Sequence, residues 1–157
     1  MPSTEKQFCT FFIEHLLFGV EVEKVQEVIR HQGLTRVPLA TELVGGLINL
    51  RGQIVTALNL RRRLGLEDCP PGQLPMNVVI RTGDGVVSLL VDEINDVVGV
   101  EQKAFEPPPD TLDVAGRELI QGVYKLKDKL LLVLETDRAA NVSAHPPEKV
   151  NPENKLE

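Results

Sequence analysis

The stretch that decides the fold is VGGLINLRGQIVTALNLRRRLGL, residues 44–66. Apolar runs at residues 47–50 and 53–60 flank the pair Arg51-Gly52. Glycine adopts turn conformations that are closed to other residues, so the pattern predicts two strands joined by a tight turn. Runs so rich in Leu, Ile and Val are usually buried, and the hairpin is therefore expected to be a core element with Arg51 at its tip.

Three further arginines, Arg61, Arg62 and Arg63, follow the second strand on a predicted helical turn that ends at Gly65. Spacing alone predicts that these three arginines form a solvated face. It likewise predicts that Arg51 is a solvated turn residue.

Length and composition limit the possible functions. A chain of 157 residues with 42% hydrophobic and 25% charged residues is long enough for one sizeable core or two small ones. The net charge of −6 argues against a nucleic-acid partner, which requires an excess of Lys and Arg. Cys9 and Cys69 form no CxxC pair, and no apolar run approaches the length of a membrane span. Without a signal-peptide pattern at the N-terminus, the cytoplasm is the expected location.

The chain contains two weak internal repeats. GLINLR at 46–51 resembles GVYKLK at 122–127 with an offset of 76, and residues 18–29 resemble residues 87–98 with an offset of 69. Each unit has the pattern strand, strand, connector, strand, hairpin, which predicts two five-stranded barrels. A single sandwich is the alternative.

The repeats also suggest domain boundaries. We expect a first barrel at 14–75 and a second at 76–137, with the N-terminal strand 7–13 pairing with the second. A short helix is expected within 111–119, and residues 23–29 are ambiguous between helix and strand. The polar, Pro-rich segment 138–157 is predicted to be a disordered tail.

Motifs for catalysis and cofactor binding are not found. The sequence has neither a GxxxxGK[ST] phosphate loop nor a GxGxxG motif after a strand, and His15, His31 and His145 are scattered. Two acidic clusters are predicted to be solvated faces: Glu21, Glu23 and Glu27, and Asp92, Glu93 and Asp96. We therefore expect no enzyme activity, no cofactor and no metal site.

Four segments together resemble the bacterial chemotaxis coupling protein family, CheW: VEVEKVQEVI (20–29), LTRVP (34–38), GGLINLRGQIVTALNLRRRLG (45–65) and LLVDEINDVV (89–98). The resemblance extends from about residue 7 to residue 136. It implies an all-β fold of two intertwined SH3-like five-stranded barrels with one or two short helices. It also implies an adaptor that couples the cytoplasmic signalling tips of chemoreceptors to the regulatory domain of the histidine kinase CheA in a receptor array.

The resemblance further implies which residues bind the receptor. Arg51 matches the arginine of the LRG motif, Val25 and Glu27 match the V-Q-E motif, Gly46 matches the glycine before the hairpin, and Val97 matches a valine of the second repeat. These five residues are expected to line an apolar groove in which the receptor tip docks.

Several alternatives remain at the sequence level. Asn59 stands where family members commonly have Asp, so a role for that carboxylate is not carried over. The chain is expected to be a stand-alone coupler, cytoplasmic and located at membrane-associated or cytoplasmic receptor arrays, with no membrane insertion. Alternatives are an adaptor for a non-flagellar pathway controlling pili or biofilm and a generic β-barrel binding module. From other classes come an enzyme that uses the acidic clusters and a barrel that binds nucleic acid.

Overall fold

The predicted central hairpin is present, as part of a fold built almost entirely from strands. The computed structural model describes residues 5–38, 42–110 and 114–141, with the side chains of residues 114 and 115 outside the description. The strands are β1 Glu5–Ile13, β2 Leu16–Glu21, β3 Val25–Ile29, β4 Val44–Leu50, β5 Gln53–Asn59, β6 Met76–Thr82, β7 Gly85–Val91, β8 Glu93–Glu101, β9 Ile120–Lys125 and β10 Leu130–Leu134. Three short α-helices accompany them: α1 Leu60–Arg63, α2 Val114–Leu119 and α3 Thr136–Ala140.

The strands form two five-stranded sheets. The order in one sheet is β8-β1-β2-β10-β9, and the order in the other is β3-β6-β7-β5-β4. We call the first the terminal barrel and the second the hairpin barrel, because the second contains the hairpin of β4 and β5. Most neighbours are antiparallel, but β2 pairs parallel with β10 and β5 pairs parallel with β7.

The division of strands between the barrels corrects the boundaries predicted from the repeats. β6 and β7 lie beyond residue 75 but pair within the hairpin barrel, whereas β2 lies after residue 14 but pairs within the terminal barrel. The repeats are contiguous in sequence, with β1–β5 equivalent to β6–β10, but each repeat contributes its first two strands to the other barrel. The barrels are therefore intertwined. β1 belongs to the terminal barrel, as expected for residues 7–13.

Three apolar clusters hold this arrangement together. One fills the terminal barrel and includes Phe8, Tyr124 and Leu131, and another fills the hairpin barrel and includes Ile48 and Val79. The third lies between the sheets and takes residues from both, among them Phe11, Phe18, Ile80, Leu89 and Leu132. Strands β6 and β7 contact two clusters at once, so both faces are buried over most of their length, and their two buried polar residues, Asn77 and Ser88, hydrogen-bond to each other at 2.8 Å.

Each barrel is also closed by one extra backbone bridge. The Thr35 and Leu47 backbones exchange two hydrogen bonds of 2.9 and 2.8 Å, which joins the segment after β3 to β4. Glu106 and Val123 do the same in the terminal barrel, at 2.9 and 2.8 Å. The same type of closure in both barrels is what a duplicated unit should produce.

The remaining local predictions have mixed outcomes. The ambiguous segment 23–29 is mainly the strand β3, because it pairs with β6. The short helix expected in 111–119 is α2. The tail was predicted to begin at residue 138, which is wrong: residues 138–140 belong to α3, and Ala139 is buried in the cluster between the sheets. Residues 142–157 lie outside the described part of the chain.

Candidate functional site

The hairpin tip has an unusual backbone for an arginine. Arg51 and Gly52 have φ angles of +52° and +86°, the pattern of a two-residue type I′ turn. Such turns favour Asn, Asp or Gly, and a non-glycine residue with positive φ is uncommon. The Gly52 amide donates to Asn49 Oδ1 at 2.8 Å, which stabilises the turn. A residue poorly suited to its turn points to a role other than folding.

Arg51 forms a bidentate ion pair with Glu27. Its Nη1 donates to Oε2 at 2.7 Å and its Nη2 donates to Oε1 at 2.6 Å. The Arg51 side chain is 71% exposed and that of Glu27 is 18% exposed, so the guanidinium lies at the surface above the carboxylate. The hydrogen bonds from Arg51 hold the pKa of Glu27 below its ordinary value. The pair links β3 to the β4–β5 turn, the two edges of the hairpin barrel.

Gly46 occupies a buried position in β4, next to the backbone bridge that closes the hairpin barrel. Its φ is +151°, and a Cβ atom there would lie 2.8 Å from the carbonyl oxygen of Thr35 and 3.2 Å from Leu34 Cβ. Its repeat equivalent, Gly122, would place a Cβ 2.5 Å from the carbonyl oxygen of Glu106. Both glycines permit the backbone bridge beside them. Gly46 therefore allows the Thr35 segment to pack closely against the hairpin.

Val25 and Val97, the other two residues predicted to bind the receptor, lie on different barrels. Val25 begins β3, two residues before Glu27, and packs partly against the cluster between the sheets. Val97 lies on β8 of the terminal barrel, is paired with Cys9 and is 56% exposed. The structure thus brings Arg51 and Glu27 into contact and keeps Val25 and Gly46 in the same barrel. Val97 belongs to the other one.

Ile54 is an exposed apolar residue that sequence reasoning missed. The pattern of the hairpin predicted a buried strand, yet Ile54 is 62% exposed and faces outward on β5, opposite Asn49. Only alternate residues of β5, such as Val55 and Ala57, point into the barrel. The two-residue periodicity of a strand was the available signal.

The prediction of solvated charges is wrong for Arg61 and Asp92. Arg61 Nε and Nη2 donate to the two carboxylate oxygens of Asp92 at 2.9 and 2.6 Å, and both side chains are buried. Burial acts to raise the pKa of Asp92, but the hydrogen bonds from Arg61 and from the Glu14 amide outweigh it and leave the pKa below its ordinary value. Arg61 and Asp92 each directly border a buried apolar run, and this position in the sequence was the available signal of their burial.

The neighbouring Arg62 is also ion-paired, whereas Arg63 donates to a backbone carbonyl. Arg62 Nε and Nη2 donate to Asp68 at 2.8 and 2.7 Å, and the half-buried Arg63 donates to the carbonyl oxygen of Arg138 at 2.9 Å. Asn59 caps α1, since its Oδ1 accepts from the Arg62 amide at 3.1 Å, and its Nδ2 donates to Asp68 at 3.2 Å. The amide at position 59 therefore suits the carboxylate at position 68.

The described residues include neither a group of metal ligands nor a helix of membrane-spanning character. No three His, Cys, Asp or Glu side chains there are grouped so that they could hold a metal ion. Nor does that part of the chain contain a helix long and apolar enough to span a membrane.

The family model of the CheW-like domain matches residues 7–143, which include the L-R-G hairpin and the V-Q-E strand. The chain belongs to the CheW-like family. Chemotaxis protein CheW of Treponema pallidum is 29% identical over 82% of this chain and 78% of that protein. Protein FrzA of Myxococcus xanthus is 28% identical over 74% of this chain and 72% of that protein.

A solved structure has the same fold. The scaffolding protein TtCheW of Thermoanaerobacter tengcongensis superposes with a TM-score of 0.74 at 27% identity, over 86% of this chain and 90% of that one. These similarities confirm the predicted CheW family, the two-barrel all-β fold and the role of a chemotaxis coupling adaptor. The CheW-like family is one of scaffolding and adaptor proteins.

Proposed function

We propose that the chain bridges the cytoplasmic signalling tip of a chemoreceptor to the regulatory domain of the histidine kinase CheA, without catalysis of its own. The receptor tip docks on a surface formed by Val25, Glu27, Arg51 and Val97. Gly46 contributes by shaping the hairpin. We further propose that this role places the protein in the cytoplasm, at receptor arrays.

The observation that carries the proposal is the Arg51–Glu27 pair at the hairpin tip. The turn tolerates an arginine only in a disfavoured backbone conformation, and the guanidinium remains largely exposed although it is paired. Arginine combines an apolar stem with a planar fork of donors, which suits an interface. Glu27 fixes the direction of that fork before the partner arrives, so less conformational freedom is lost on binding.

Ile54 adds apolar surface near the same tip. It follows Arg51 by three residues and is one of the most exposed large hydrophobic side chains in the described residues. An apolar residue beside an ordered arginine is a common composition for the centre of a protein interface. A helical receptor tip with an apolar stripe and an acidic or amide group would match it.

The test is titration of Arg51→Ala against a receptor signalling fragment and, separately, against the CheA regulatory domain. We expect receptor affinity to fall about thirtyfold, the usual effect of truncating an interface arginine that dominates binding. Kinase affinity should change little, because the family uses other surfaces for it. The matched control is Arg117→Ala, which removes an exposed arginine from α2.

Three results are decisive. Loss of receptor binding by Arg51→Ala but not by Arg117→Ala supports the assignment. Unchanged receptor affinity in a folded Arg51→Ala protein contradicts the site. Equal loss for receptor and kinase indicates a structural defect instead of a lost contact.

A second output is proposed for the same adaptor role, namely control of pili or biofilm in place of flagella. The similarity to protein FrzA of Myxococcus xanthus is consistent with this alternative. Deleting the gene and comparing swimming with surface attachment distinguishes the two, because only the affected behaviour should be lost.

A further inference from the structure

The buried ion pair of Arg61 and Asp92 is the strongest polar feature outside the proposed receptor surface. Its two hydrogen bonds are parallel, at 2.9 and 2.6 Å, and the side chains are 9% and 8% exposed. Bidentate geometry of this kind fixes the relative orientation of the two groups as well as their distance.

The pair is part of a satisfied network. Arg61 Nη1 donates to the carbonyl oxygen of Glu67 at 2.9 Å and to Glu14 Oε2 at 3.4 Å. The Glu14 amide donates to Asp92 Oδ2 at 2.6 Å, and the Asp92 amide donates to the carbonyl oxygen of Phe12 at 3.0 Å. Three segments therefore meet here: α1, the turn between β1 and β2, and the link between β7 and β8.

The position of the pair in the fold connects the two barrels. Arg61 lies in α1, directly after β5, whereas Asp92 is the single residue between β7 and β8, where the chain crosses from the hairpin barrel to the terminal barrel. Followed backwards from Arg61, β5 leads to the turn that carries Arg51. Followed forwards from Asp92, β8 leads to Val97. The pair thus ties together the strands that carry the two separated parts of the proposed receptor surface.

The second junction of the duplicated fold has acidic residues at both of the equivalent positions. With the repeat offsets of 76 and 69, Arg61 corresponds to Asp137 and Asp92 corresponds to Glu23. Asp137 accepts one hydrogen bond there, from the Gly83 amide at 3.2 Å. Two acidic residues cannot form an ion pair with each other, so this junction is held by other contacts.

We propose that Arg61 and Asp92 are positioning residues, which hold the two barrels in the one orientation that lets Arg51 and Val97 engage the same receptor tip. This inference rests on the proposed function. The apolar cluster between the sheets keeps the barrels together, but apolar contact has little directional preference. Replacing a buried ion pair by apolar residues is often neutral or stabilising, so stability alone does not account for this pair, whereas its fixed bidentate geometry suits an orienting role.

The test uses the full chain with the double variant Arg61→Met and Asp92→Leu, which removes both charges together. The control is Arg62→Met and Asp68→Leu, because Arg62, also on α1, forms an equally bidentate but exposed pair with Asp68 in the loop that follows the helix. Residual dipolar couplings report the relative orientation of the barrels, and titration with a receptor signalling fragment reports affinity. Arg61→Lys is the second variant, since it keeps the charge and the fold but loses the planar fork.

We expect the Arg61→Met/Asp92→Leu protein to remain folded, with barrels that no longer share one alignment. If the competent orientation is then occupied roughly one tenth of the time, receptor affinity falls about tenfold. Arg61→Lys should show the same changes to a smaller extent, and the control should behave as wild type.

Two results would overturn the proposal. One is an unchanged barrel orientation in the double variant or, if that protein does not fold, in Arg61→Lys. The other is wild-type receptor affinity despite a loosened orientation. If the wild-type protein itself does not bind the receptor fragment, or if Arg51→Ala binds as well as wild type, the proposed function fails instead. The dipolar couplings still decide whether the pair orients the barrels.

Discussion

Replacing Gly46 by alanine should destabilise the fold by an amount that can be worked out from its surroundings. At a φ of +151°, a side chain strains the backbone by about 1–3 kcal/mol. The new Cβ would also lie 2.8 Å from the carbonyl oxygen of Thr35, so the Thr35 segment must withdraw by about 0.6 Å to reach an ordinary contact distance.

That withdrawal stretches the bridge between Thr35 and Leu47. Its hydrogen bonds are now 2.9 and 2.8 Å long and would lengthen towards the limit of about 3.5 Å. Losing two such bonds costs about 2 kcal/mol. Added to about 2 kcal/mol of backbone strain, the free energy of unfolding should fall by about 4 kcal/mol, which corresponds to roughly 12 °C in Tm.

The matched control is Gly85→Ala, which separates the two contributions. Gly85 has a φ of +127°, but no atom lies within 4 Å of the position that its Cβ would take. Gly85→Ala should therefore show the strain alone, a loss of about 6 °C in Tm. Thermal unfolding followed by far-UV circular dichroism measures both variants. Equal losses in Tm would refute the idea that the approach of Thr35 is what requires glycine at position 46.

Two further predictions concern stability. Asp92→Asn leaves the Arg61 guanidinium buried without its charge partner, so urea unfolding should show a loss of about 3 kcal/mol at pH 7. Because the pKa of Asp92 is lowered by folding, its contribution is present above the unfolded value of about 3.9 and is lost as pH falls through the folded pKa. The difference between wild type and Asp92→Asn should therefore shrink below about pH 4, and a difference that grows there would contradict this sign. Asn59→Asp keeps the cap of α1 but exchanges the Nδ2 donor for a second carboxylate beside Asp68, so we expect a loss of about 0.5 kcal/mol at pH 7. Asn59→Ser, which caps without a charge, is the control, and a Tm of Asn59→Asp above that of Asn59→Ser would contradict the repulsion.

Local features of the sequence predicted the hairpin well. The apolar runs around Arg51-Gly52 specify a two-residue turn, and the structure has that turn between β4 and β5. The helical turn ending at Gly65 is also predicted correctly from neighbouring residues. In the structure, Gly65 follows α1 and has a φ of +81°. Such features depend on a few neighbouring residues, so a single sequence contains the information.

Long-range features were not predictable from the same patterns. The two repeats carry similar strands, so the sequence alone does not say that β6 and β7 pair with the β3–β5 unit. Segment 23–29 became a strand through its pairing with β6, which overrides its weak helical spacing. A charged side chain is buried only when it has a partner. The partner of Arg61 is Asp92, 31 residues away, so the local sequence predicts that Arg61 is exposed.

The duplication within the chain separates the needs of folding from those of function. Both barrels keep the glycine beside the closing bridge, Gly46 in one and Gly122 in the other, and each glycine meets a carbonyl oxygen within 3 Å of its virtual Cβ. The presence of this feature in both repeats supports a role in closing each barrel.

Features present in one repeat only need another explanation. The hairpin of β4 and β5 has Arg51 in a two-residue turn, whereas the hairpin of β9 and β10 has a four-residue loop from Leu126 to Lys129 at the equivalent tip. The Arg61–Asp92 pair likewise occurs at one crossing of the chain and is replaced by Asp137 and Glu23 at the other. The equivalent tip and crossing of the other repeat lack both features, which supports the two proposals that Arg51 binds the receptor and that the Arg61–Asp92 pair orients the barrels.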